Sequence, residues 1–190
     1  MSMKTSLIEK AKKTNSNYDI ALIEKAYNFA EKVHKGQYRK GGADYITHPH
    51  AVAEIMVELG ADTKSIIAAL LHDTVEDTKA TLEDIEKCFD KEIANLVDAV
   101  TKIDKFEDKR KNKELTHKKI LEMGNKDQRV FLIKLADRLH NMQSLDVFKE
   151  EKRKRIAKET LEFYVPIAQK IEMQNIVQEL KKLSDRYIDN

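Results

Sequence analysis

The chain of 190 residues contains one cysteine, no tryptophan, two prolines and five glycines. The single thiol, Cys88, excludes an intramolecular disulfide and a zinc cluster built on several thiolates, and is read as an inert helix residue. So few glycines and prolines leave few places for tight turns, which favours long helices. Long hydrophobic runs are also missing. The longest purely apolar one, Ile66 to Leu71, falls far short of the roughly 20 residues that a bilayer-spanning helix needs. Met1 to Lys13 is polar and dotted with lysine, without the apolar stretch of a secretory signal, so a cytoplasmic location and no membrane partner are expected. Nor is there an excess of one charge. Lys and Arg number 35 against 33 Asp and Glu, a net +2. That balance argues against a nucleic-acid partner and makes any anion preference a local matter.

Hydrophobic residues at 41% beside charged residues at 36% place the chain among globular proteins, and its length suits one core, so a single domain over 1–190 is expected. Start and stop signals predict an all-α fold. Asp19 can cap a helix carrying Ile20, Ile23, Ala26, Tyr27, Ala30 and Val33, which Gly36 ends. Gln37 to Thr47 reads as a loop, and Pro49 suits the first turn of a helix running to Gly60. Asp62 or Thr63 caps a third helix, apolar on every side from Ile66 to Leu71 and ending at His72-Asp73. Thr81 with Asp84 resembles a capping box, and Asp90 can cap a further helix through Val100. The pattern fades over 102–113, where Lys102, Lys105, Lys109, Arg110, Lys111 and Lys113 mix with acids, and a charged, mobile connection is expected. Arg129 to Leu145 is a second strongly apolar helix. Lys149 to Ser184 reads as one or two amphipathic helices bent near Pro166.

Two clusters carry chemistry. In His72-Asp73-Thr74-Val75-Glu76-Asp77 an imidazole and three carboxylates follow directly on a buried helix. Uncompensated burial of such charges is costly, and on a continuing helix all four share roughly one flank, so a cation is called for. Imidazole with carboxylate oxygen suits manganese, iron or zinc better than calcium. In the second cluster, Asp137, Asn141 and Ser144 form a polar stripe on an apolar helix. For Asp137 alone, an ion pair with Arg138 or a neighbouring helix is as good a reading as a metal ligand.

Five blocks spread over most of the chain carry a resemblance. They are Ala26-Tyr27-Asn28-Phe29-Ala30, His34 to Lys40, Tyr45-Ile46-Thr47-His48-Pro49, Leu70 to Thr78, and Leu135 to Met142. Together they resemble the hydrolase domain of RelA/SpoT-type alarmone enzymes, within the HD-domain superfamily of metal-dependent phosphohydrolases. A lone His-Asp pair is a weak signal, whereas five blocks in order are a strong one.

The resemblance implies a multi-helix HD-domain bundle in which His48, His72, Asp73 and Asp137 hold one divalent metal, usually manganese. It assigns Glu76 and Asp77 to the attacking water, Arg39 and Lys40 to the guanine base and a nearby phosphate, and Asn141 and Ser144 to ribose and phosphate. Ser144 stands where threonine is more familiar. His34 is read as fixing its loop, His50 as a surface residue, and His117 has no role. Before the His-Pro pair, the family's Gly-Glu-Pro-Tyr appears as Gly42-Ala43-Asp44-Tyr45, without the proline and with the acid moved by one. The implied function is that of a stand-alone (p)ppGpp 3′-pyrophosphohydrolase yielding GDP or GTP and pyrophosphate. The alternatives are hydrolysis of another phosphorylated nucleotide, and a nucleotide-binding sensor with negligible turnover. A helical nucleic-acid binder is suggested only by the lysine clusters. Oligomeric state is not legible in the sequence.

Overall fold

The computed structural model describes residues 2–188. Among these there is no β-strand, only an isolated antiparallel bridge between Tyr38 and Asp44, and the fold is all-α as expected. No helix among them is long and apolar enough to cross a membrane. By its internal contacts the chain divides into two compact units, Met1–Ile133 and Lys134–Asn190.

The first unit is organised around its most apolar segment. Helix α1 spans Met3–Thr14, α2 Ile20–Val33, α3 Thr47–Glu58 and α4 Thr63–Leu71. From Ser65 to Leu71 every residue of α4 is buried, because α2, α3 and α7 (Lys91–Val100) all pack on it. Asp62 caps α4 by accepting from the Ser65 amide, and a residue of positive φ, Gly60, provides the stop before it. After α4 the chain turns at His72-Asp73 and makes one more short helix, α5 (Thr74–Asp77). The expected capping box of Thr81 and Asp84 opens α6 (Leu82–Cys88), and Asp90 caps α7.

Two helices are additions to the expectation. Helix α1 is capped by Ser2 and buries only Leu7 and Ala11, one turn apart, so its lysines dominate the sequence pattern. The segment 102–113 is corrected: it is irregular to Asp108 but helical from Lys109, within α8 (Lys109–Lys126). Buried polar side chains order it. Asn112 accepts from the Phe106 amide and donates to the Phe106 carbonyl and to Asp104, while Thr116 accepts from the Ile103 amide. Lys119 donates to the carbonyls of Asp98 and Thr101. Near the end of α8, a Cβ on Gly124 would come within 2.2 Å of the buried Phe131 ring, so only glycine fits.

The division between units falls inside α9 (Arg129–Gln143). In the second unit, α10 (Glu150–Glu159) runs into a π-helical turn at Thr160–Tyr164, then α11 (Val165–Lys170) and α12 (Gln174–Ile188). The irregularity expected near Pro166 is thus a widened turn just before it, where the missing proline N–H breaks the usual ladder. Helix α12 buries Ile176, Val177, Leu180, Leu183 and Ser184 along one stripe, against α10 and α11.

Candidate metal centre

His48 lies in the first turn of α3, beside Pro49, and His72 and Asp73 form the turn that ends α4. All three side chains are buried, and each offers a ligand atom within 4.8 Å of the other two. Asp73 stands between the imidazoles: its Oδ1 is 3.2 Å from His72 Nε2 and its Oδ2 is 3.5 Å from His48 Nε2. The rings lie 5.1 Å apart, nearly edge to face.

The tautomer of His72 follows from its surroundings. Nδ1 is 2.7 Å from the Ala69 carbonyl, which can only accept, so Nδ1 carries the hydrogen. In the neutral imidazole Nε2 then presents its lone pair toward Asp73. A backbone carbonyl behind one ring nitrogen, with the other turned to a carboxylate, is how histidine is oriented for a metal. Two imidazole nitrogens and a carboxylate oxygen in a buried cluster suit a divalent transition ion, so the residues present fit the group.

The two acids after this turn take different surroundings. Asp77 faces Tyr45, whose hydroxyl reaches Asp77 Oδ2 at 2.5 Å and Asp73 Oδ2 at 2.8 Å. Glu76 accepts from the backbone amide of Lys102 at 2.6 Å and from its ammonium at 2.7 Å. Burial, then the charge of Asp73, holds the Tyr45 hydroxyl far above the ordinary tyrosine pKa, so it stays a hydrogen-bond donor. Tyr45 and Lys102 carry no signal of these contacts in local periodicity, because their partners lie 26 to 32 positions away.

Arg39 and Lys40 sit on the loop that leads into Tyr45 and His48. The Arg39 guanidinium lies over the Tyr45 ring, 5.7 Å from its centre, and Lys40 is exposed. His34 fixes this loop as expected: its Nδ1 is 2.7 Å from Gln37 Oε1, and its ring stacks on Tyr45 at 4.5 Å. The surface reading of His50 is corrected, since it is buried edge-on against Tyr27 with Glu54 beside it at 3.6 Å.

In the second unit Asp137 is buried. Its Oδ2 accepts from the Lys134 ammonium at 2.8 Å and its Oδ1 from the Asn141 amide at 2.6 Å. Lys134 thus forms an ion pair with Asp137 along the helix, while the Arg138 guanidinium covers the Tyr164 ring at 4.0 Å and pairs with Glu159. Ser144 lies just beyond α9, its hydroxyl 3.3 Å from the Asn141 carbonyl.

The HD-domain family model matches residues 26–174. A "GTP pyrophosphokinase" of Myxococcus xanthus is 48% identical over 90% of this chain and 23% of its own length. A "guanosine-3′,5′-bis(diphosphate) 3′-pyrophosphohydrolase" of Aquifex aeolicus is 45% identical over 96% of this chain and 26% of its own. The chain thus spans about a quarter of the length of these curated relatives. A solved structure described as a metazoan ortholog of SpoT that hydrolyses ppGpp superposes with a TM-score of 0.74 at 30% identity, over 90% of this chain and 99% of that one.

Proposed function

Because this chain belongs to the HD-domain family, we propose that it is a metal-dependent (p)ppGpp 3′-pyrophosphohydrolase, with residues 1–190 acting as one hydrolase domain. The observation that carries the reading is the match to the metazoan ppGpp hydrolase over nearly the whole of that chain. The pyrophosphokinase name, by contrast, belongs to relatives of which this chain spans only about a quarter, and so says little about this part.

In the proposed reaction water adds to the phosphorus bonded to the 3′ oxygen, the O3′–P bond breaks, and the oxygen leaves with a proton. The products are GDP or GTP and pyrophosphate. His48, His72 and Asp73 hold the metal, with Asp137 as a fourth ligand. That assignment is supported by the resemblance of its block and by its buried carboxylate, oriented by Lys134 and Asn141. Manganese is the proposed ion, and when bound it supplies Lewis-acid stabilisation of charge on a phosphoryl oxygen. Glu76 and Asp77 orient the water and take its proton. The paired hydrogen bonds from Lys102 fix one rotamer of Glu76. Arg39 and Lys40 receive the base and a phosphate, where a flat guanidinium can stack on a purine. Asn141 and Ser144 contact ribose and phosphate. A cytoplasmic setting accompanies a nucleotide substrate of this kind.

The test is metal analysis of the purified protein together with a panel of phosphorylated nucleotides, with pyrophosphate and phosphate measured separately. Pyrophosphate release from ppGpp in the presence of manganese is the expected result. Folded, metal-loaded protein that releases none would overturn the reading. Turnover of a different nucleotide would move the substrate, and tight binding without product would make the chain a sensor.

A further inference from the structure

A single phenol joins the turn of the metal cluster to the acid that follows it. Asp73 and Asp77 lie one helical turn apart, and the Asp77 amide donates to the Asp73 carbonyl at 2.9 Å. Two carboxylates so placed repel each other and swing apart unless a donor stands between them. The Tyr45 hydroxyl stands there, 2.8 Å from one and 2.5 Å from the other. Tyr45 is itself anchored through its ring and its backbone, and the residue that holds its backbone also reaches the acidic turn. Its ring stacks on His34 with 16° between the planes, its amide donates to the Gln37 carbonyl at 3.0 Å, and the Gln37 amide group donates to the Asp77 carbonyl at 2.6 Å. The loop and the acidic turn thus hold each other.

Resting on the hydrolase reading above, we infer that Tyr45 is a positioning residue that sets Asp73 for the metal and Asp77 for the water as one unit. Asp73 Oδ2 faces both His48 Nε2 and the Tyr45 hydroxyl, so the phenol selects the rotamer that turns Oδ1 toward His72. The same hydroxyl draws Asp77 toward the cluster, whereas its neighbour Glu76 is held by Lys102. Outer partners of metal-binding carboxylates typically matter by 10- to 100-fold in affinity or rate, roughly the scale expected here.

Tyr45→Phe removes only the hydroxyl and leaves the ring on His34 and under Arg39. The measurements are Mn2+ affinity by calorimetry with the metal alone, and ppGpp turnover at saturating Mn2+, for Y45F, D77A and the double variant. Y45F should bind Mn2+ about 10-fold more weakly and lose at least about 10-fold in kcat, with KM within about threefold because the Arg39 loop keeps its stacking. In the D77A background Y45F should cost less than about threefold further in kcat, because its effect passes through Asp77. Wild-type affinity and kcat in Y45F, or an equal loss in both backgrounds, would overturn the inference. If Y45F does not fold, D77A decides. Asp77 is outside the proposed ligand set, so a Mn2+ affinity unchanged by D77A would break the link. A wild-type protein that binds Mn2+ but leaves ppGpp intact would sink the substrate reading alone, and the affinities would still judge Tyr45.

Discussion

Helices α4 and α8 belong to the same unit and are ordered by opposite means. In α4 every residue from Ser65 to Leu71 is buried, and its order comes from removing apolar surface from water. In α8 the buried residues are Asn112, Thr116, Ile120 and Gly124, and lysine is the commonest residue among the rest. Its order comes from directional bonds and one close approach. The comparison teaches that a functional turn such as His72-Asp73 can be rigid because of what precedes it, while a charged helix needs specific polar partners.

Each side of this comparison can be challenged. The largest effect is expected at the end of α4, where Asp73→Ala should remove bound metal and abolish turnover. Glu76→Ala should impair turnover while leaving metal occupancy near that of the wild type. Metal analysis beside a pyrophosphate assay separates the two, and equal metal loss would make Glu76 a ligand. Within α4, Leu70→Ala should destabilise the fold by about 2–5 kcal/mol in denaturant melts, since a fully buried leucine leaves a cavity. In α8, Asn112→Ala should cost about 1–3 kcal/mol, because it strands the Phe106 amide and carbonyl. Hydrogen exchange should locate that loss at 103–108, and uniform loss across α8 would contradict the local account. The smallest effect belongs to Lys118→Ala. Its pair with Glu122 is exposed on both sides at 3.8 Å, so stability should stay within about 0.5 kcal/mol of the wild type.

Legibility followed the same divide. Helices α2, α3, α4, α7 and α9 could be read from apolar spacing and caps, because burial imposes a period on the sequence. Helix α1 was not legible, since two buried residues make no stripe, and α8 was not, since its stabilising contacts are polar and its partners lie in a preceding loop. At the site, His48, His72 and Asp73 were nominated by residue type and family resemblance, and the fold brings a ligand atom of each within 4.8 Å of the others. The separation of Glu76 from Asp77 was not legible. On a helix they are neighbours, yet one is held by Lys102 and the other by Tyr45.

By itself the sequence determined an all-α chain, the buried helix ending in His72-Asp73, and the kinds of side chain available for a metal. These rest on local periodicity, capping and donor chemistry, which are properties of neighbours along the chain. Tertiary structure decided the tautomer of His72, the burial of His50, the ordering of 102–108 and the placing of Tyr45 between two carboxylates. Most of these depend on groups far apart in sequence. Even the His72 tautomer, set by a carbonyl three residues back, needed the orientation that the folded turn gives its ring.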